Sequence, residues 1–135
     1  MLTLICGIPN SGKTTYSKKF ENVVHLDEVE PVNGSYTEGV RVLVSETLGD
    51  ICVEGLYCTS RDRKKLLDKY HGERTKCIWI DTPLDVCISR EDRDRATVLI
   101  RNCAQVFEPP AYDEGWNEIY ILNNDNLELI PKERE

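Results

Sequence analysis

The apolar run "LTLI" at residues 2–5 breaks directly into "CGIPNSGKTT". A run this short and this apolar fits a strand covered on both faces. The spacing from Gly7 to Gly12, followed by Lys13 and Thr14, fits G-x-x-x-x-G-K-[ST], a loop whose backbone N–H groups turn inward around phosphate. The two glycines can take backbone angles closed to other residues. The stretch "KTTYSKKF" that follows is compatible with a helix, whose positive N-terminal end would point at the same place. Pro9, Asn10, Ser11, Gly12, Lys13, Thr14 and Thr15 are therefore expected to bind a nucleoside triphosphate. In that arrangement Lys13 reaches the β- and γ-phosphates and Thr14 holds Mg²⁺ through its hydroxyl.

The rest of the chain repeats the same rhythm. Strands are expected at Leu2–Cys6, Val23–Leu26, Ile51–Glu54, Cys77–Ile80 and Glu118–Leu122, with helices near Gly12–Phe20, Glu38–Leu48, Arg61–Tyr70, Pro83–Arg90 and Ala96–Phe107. Ser60 before "RDRKKLL" and Thr82-Pro83 before "LDVCISR" read as helix starts, a capping hydroxyl followed in the second case by proline. Strands alternating with helices imply a three-layer α/β domain around a parallel sheet. No linker or repeat divides the chain, so residues 1–135 are expected to form one domain. The last stretch, 124–135, reads as a tail that frays.

Composition narrows the class. A length of 135 residues and 40% apolar content suit one core. No run is long enough to span a membrane, and "MLTLICG" lacks a basic segment before a long hydrophobic one, so a cytoplasmic protein is expected, with no membrane partner. The six cysteines form no C-x-x-C pair and most lie inside apolar runs, which points to buried free thiols rather than disulfides or a metal site. A net charge of −7 argues against a broad basic face for polyanions, though a local phosphate pocket is compatible with it.

Ligands of parallel α/β sheets sit at the carboxyl ends of the strands. The polar residues ending the second, third and fourth runs are Asp27 in "VVHLDE", Glu54 in "ICVEGLY" and Asp81 in "CIWIDTP". The three are expected to face one crevice with Lys13 and Thr14. Carboxylates gathered around a phosphate loop repel one another unless a metal or a proton-accepting role offsets the repulsion. Asp81 reads equally as an ordinary turn residue. His25 reads as structural, "SRDRKK" as a solvated helix face, and Trp79 as core. Of Phe107, Tyr112 and Trp116, packing is the expectation for two, with stacking on a base open to the third.

With these pieces in order along the chain, the sequence resembles the P-loop polynucleotide 5′-hydroxyl kinases, a family that also occurs in bacteriophages. The resemblance rests on "GIPNSGKTT", "VVHLDE", "VEGLYCTSRDRKKLL", "WIDTPLDVCISRE" and "FEPPAYDEGWNEIYIL". It implies a P-loop fold of the nucleoside-monophosphate-kinase type with a parallel five-stranded sheet, in which the strand at 51–54 lies between the first two. It also implies that Asp27 is the general base and that Glu54 lies near the metal and substrate. In "SREDRDRAT" it implies an arginine in a lid over about 90–101. Arg90, Arg93 and Arg95 are all eligible for that arginine, Arg93 first and Arg95 next. The sequence departs from the family at Glu30, where an arginine holding a substrate phosphate is usual.

The expected function is an ATP- and Mg²⁺-dependent phosphotransferase moving the γ-phosphate to a hydroxyl, the 5′-OH of DNA or RNA first. The alternatives are a kinase of a small molecule or modified nucleoside, and a nucleotide-binding regulatory module without transfer. A GTPase switch is disfavoured because no [NT]-K-x-D segment occurs.

Overall fold

The computed structural model of the chain describes residues 1–91, 94–123 and 128–134; the side chains at 94, 95 and 123 fall outside that description. The fold is organised around β1 (Leu2–Cys6), all of whose residues are buried. Strands β2 (Val23–His25), β3 (Ile51–Glu54), β4 (Thr75–Ile80) and β5 (Glu118–Asn123) join it in parallel in the order β2-β3-β1-β4-β5. The strand at 51–54 thus lies between the first two, as the resemblance implied. The register places Ile5 opposite both Glu54 and Ile78, and His25 opposite Glu54.

Alternate residues of each strand point to opposite faces, and the core divides accordingly. Leu2, Leu4, Val53 and Cys77 pack with Val40 and Val44 of α2 (Tyr36–Ser45) and Leu66 of α3 (Ser60–Leu67). Ile5, Cys52, Ile78 and Ile80 pack on the other face against Tyr16 of α1 (Lys13–Ser17) and Phe20 just beyond it. Helices therefore cover both faces, giving three layers. A further cluster of Ile8, Cys58, Cys87, Ile100 and Cys103 joins α4 (Leu84–Ser89) and α5 (Asp94–Val106) to the loop after β1. All six cysteines are buried free thiols.

Several expectations need correction. The tail supplies a further strand, β6 (Glu128–Pro131), antiparallel to β5 with Ile130 opposite Ile121. The sheet thus has six strands among the described residues, of which only β6 is antiparallel. Its anchor is Leu129, packed on the Ile78–Leu122 cluster, whose apolar signal is diluted by the polar residues around it. Residues 124–127 lie outside the described part. The second strand stops at His25 because Leu26–Glu28 winds into a 3₁₀ turn. Thr59 rather than Ser60 caps α3, its hydroxyl accepting the Asp62 N–H at 3.2 Å. Trp79 is half-buried and stacks on Phe107 with centroids 5.4 Å apart. Trp116 is buried, and the Tyr112 hydroxyl donates to the Lys132 carbonyl, so all three of these aromatics have packing roles.

The largest departure is Arg63. It is fully buried, not solvated. Its Nε and Nη2 donate to the two Glu114 carboxylate oxygens at 2.8 and 2.9 Å, and Nη1 and Nη2 donate to the Tyr57 and Glu108 carbonyls. The helical period turns Arg63 to the same side as Leu66, and a carboxylate brought in from "YDEGW" makes the buried charge tolerable.

Candidate functional site

The turn after β1 forms one wall of a cleft of about 550 Å³ lined by Asn10, Gly12, Lys13, Thr14, Thr15 and Arg90, and extending past Tyr16 and Lys19 to Leu122. Gly12 precedes α1 with φ of 104°, a left-handed angle that suits glycine and few other residues. At Gly7 the constraint is space, because a Cβ there would lie 2.7 Å from Ser11 Oγ and 2.9 Å from the Ile80 carbonyl oxygen.

The loop is pinned from β4 and α4. Thr82 Oγ1 donates to the Ser11 carbonyl at 2.6 Å, Arg90 Nη1 donates to the Asn10 carbonyl at 2.9 Å, and the Asn10 side-chain amide donates to Glu91 at 3.2 Å. Thr82, read from sequence as a helix cap, instead fixes the loop, and no side chain caps α4. The signal that could have found it is its place at the end of β4, the strand beside β1.

Lys13 is 7% exposed, and its Nζ donates to the Ile8 carbonyl at 2.8 Å. Burial pulls its pKa below the usual lysine value, and the nearby Glu54 carboxylate opposes that pull only in part. A buried ammonium with one carbonyl partner has donors to spare for an anion. Thr14 is exposed on the cleft wall. Pro9 and Ser11 belong to the same loop, but the Ser11 side chain is fully buried with its hydroxyl unpartnered, so Ser11 can act there only through its backbone.

At the end of β3, Glu54 is buried and its Oε2 lies 2.8 Å from His25 Nδ1. Its carboxylate is thus tied to β2 while acting electrostatically on Lys13. Asp27 sits in the 3₁₀ turn after β2, exposed, and lines a second cavity of about 440 Å³ with Leu26, Tyr36 and Thr37. Asp81 is exposed at the end of β4, and partial desolvation of its carboxyl raises its pKa. None of the three carboxylates is among the residues that line the Lys13 cleft. Among the described residues no three His, Cys, Asp or Glu side chains converge as a metal site.

Of the candidate arginines, Arg90 lies on the cleft and bonds the loop. Arg93 lies outside the described residues, as does the side chain of Arg95. Residues 94–101 of the expected lid belong to α5. No helix among the described residues is long and apolar enough to cross a membrane.

The arrangement offers an anion cradle with one buried cation and, at the same edge of the sheet, a carboxylate beside a separate cavity. No protein-family model matches the chain, and no curated protein sequence matches it significantly. Solved structures do. A gluconokinase from Sinorhizobium meliloti 1021 superposes with a TM-score of 0.67 at 12% identity, over 89% of this chain and 80% of that one. A sugar kinase from Janibacter sp. HTCC2649, solved without ligand, gives 0.63 at 13% identity over 89% and 84%. A protein of the PezAT chromosomal toxin-antitoxin system of Streptococcus pneumoniae gives 0.52 at 16% identity over 96% and 70%. At such identities the likeness speaks for the fold, and the fold of this chain is the α/β fold of these proteins.

Proposed function

We propose that the chain is an ATP- and Mg²⁺-dependent phosphotransferase that moves the γ-phosphate onto a hydroxyl of a small molecule. The observation that carries the reading is the pairing of two cavities at one sheet edge, one built around Lys13 and the other holding Asp27. The loop backbone and Lys13 bind and orient the triphosphate, and Arg90 flanks it. Thr14, exposed at the cleft, fits as the protein oxygen on Mg²⁺, an ion that keeps most of its shell as water and phosphate. Glu54, already bonded to His25, fits behind that shell. The metal, when bound, neutralises charge on the phosphate oxygens. Asp27 aligns the acceptor hydroxyl and takes its proton as the oxygen attacks. Arg93 and Arg95 remain candidates for a lid that closes over the phosphates.

Three observations favour a small acceptor over the 5′-OH of DNA or RNA. Arg63, a cation once available to meet nucleic-acid phosphates, is buried and paired. Glu28 and Glu30 are exposed next to Asp27, where a polyanion would be repelled. The fold neighbours include a gluconokinase and a sugar kinase. The order of motifs along the chain, together with exposed Arg61, Lys64 and Lys65 on α3, keeps the oligonucleotide as the second reading. A transfer screen with radiolabelled ATP over polyols, sugars, nucleosides and 5′-OH oligonucleotides separates the two. Label on a polyol or sugar is expected; label on oligonucleotides alone would restore the polynucleotide reading, and label on nothing would leave a nucleotide-binding module.

A further inference from the structure

Tyr57, three residues beyond the end of β3, departs twice from what a folded chain normally tolerates. Its φ is 36°, a left-handed angle that bulky residues avoid and that concentrates at ligand clamps. The residue is only 4% exposed, and its buried hydroxyl has no hydrogen-bond partner among the described residues. A buried polar atom left unpaired costs stability and calls for a reason.

The surroundings supply one. Tyr57 and Leu26 converge over Gly55, where an added Cβ would lie 2.9 Å from Leu26 Cβ and 3.1 Å from Tyr57 Cε2. Leu26 is a wall of the Asp27 cavity. The Tyr57 hydroxyl feels the charges of Arg41 on α2 and Asp62 on α3. Arg41 lies one helical turn after Thr37, another wall of that cavity, and therefore on the same helix face. The Arg41 side chain is 15% exposed and makes one ion pair, Nη1 to Glu38 at 2.6 Å. Its other N–H groups have no hydrogen-bond partner among the described residues. A guanidinium carries five donors, and a second carboxylate or a phosphate can use the rest as a fork.

We infer that Arg41 and Tyr57 form the far end of the acceptor subsite, and that the acceptor is a compact polyol bearing an anionic group, carboxylate or phosphate, at the end away from the reacting hydroxyl. The inference rests on the proposed kinase reading and names its substrate class. Glu38 pairs with Arg41, the charge of Asp62 acts on the Tyr57 hydroxyl and Asp27 lines the cavity itself, a set of carboxylates that disfavours a chain of anions. The cavity's volume of about 440 Å³ lies in the range of small-molecule sites.

The test compares a sugar acid, a sugar phosphate and the uncharged parent sugar as acceptors, with wild type, Arg41→Gln, Arg41→Lys and Tyr57→Phe. The anionic acceptors are expected to exceed the neutral one in kcat/KM by about tenfold or more, and whichever of the two is better identifies the group. Arg41→Gln should erase the preference, Arg41→Lys should retain part of it, and the KM for ATP should stay unchanged in both. Tyr57→Phe should raise the acceptor KM several-fold while leaving the Tm of the free protein equal or higher, because the hydroxyl it removes has no partner. A purely structural tyrosine would instead lower Tm without touching the acceptor KM, and that result would overturn the role of Tyr57. Equal use of charged and neutral sugars, or an Arg41→Gln loss shared equally by both, would overturn the inference and leave the kinase reading standing. Failure of every hydroxyl acceptor would remove both.

Discussion

Lys13 is held where a cation is expensive to keep: almost fully buried, with a carbonyl as its hydrogen-bond partner among the described residues and Glu54 within electrostatic reach. Removing the charge should therefore stabilise the free protein while destroying its chemistry. Lys13→Met is expected to gain about 1 kcal/mol in urea unfolding and to lose phosphotransfer. The pH dependence follows from the direction of the shift. A lysine whose native pKa is lowered leaves the unfolded chain holding more protons, so stability of the free protein rises with pH between the native and ordinary lysine values. Triphosphate binding needs the ammonium, so ATP affinity measured across roughly pH 7 to 10 should fall on the alkaline side earlier than a free lysine would dictate. Glu114 shows the opposite case. Burial alone would raise its pKa, but hydrogen bonds from Arg63 and Trp116 and the charge of Arg63 hold it below the ordinary value. Its stabilisation is present above the usual glutamate range and is lost as pH falls through the lowered native value. Glu114→Gln, which strands a buried guanidinium, should cost roughly 3–5 kcal/mol in urea unfolding. The turn after β1, with Gly12 left-handed ahead of α1, was legible because a short local spacing encodes it. The Arg63–Glu114 pair was not, because its partners are 51 residues apart and each alone reads as surface.

At the scale of elements, apolar runs located five strands and helical periodicity located five helices, while the ends of those elements were set by contacts that a local pattern does not contain. The cap of α3 illustrates this. Thr59 and Ser60 are equivalent by composition, and only the fold shows that the Thr59 hydroxyl meets the Asp62 N–H. Thr59→Ala should cost about 1 kcal/mol and Ser60→Ala little; thermal unfolding of the two variants checks the assignment, and equal losses would contradict it. β6 escaped notice for a related reason. It is exposed along most of its length, with burial concentrated at one position, and an edge strand of that kind carries little hydrophobic alternation to read. Thr82 was placed on the right element and given the wrong task, because a hydroxyl before proline looks like a cap until β4 is seen to run beside the loop.

Across the whole molecule, the parallel sheet order brings the ends of β1, β2 and β3 to one edge, the edge that carries both the Lys13 cleft and the Asp27 cavity although their residues come from separate segments of the chain. The place of β3 between β1 and β2 was implied by the resemblance, whereas the His25–Glu54 contact, made by side chains 29 residues apart, was not. The proposed function requires that the two cavities be the donor and acceptor halves of one site. The most direct measurement is the turnover of Asp27→Asn beside its ATP affinity, with the best acceptor from the transfer screen. A base acting only on the acceptor predicts a fall in kcat of about a hundredfold with the dissociation constant for ATP within about twofold of wild type; unchanged turnover, or an equal loss in ATP binding, would contradict the claim.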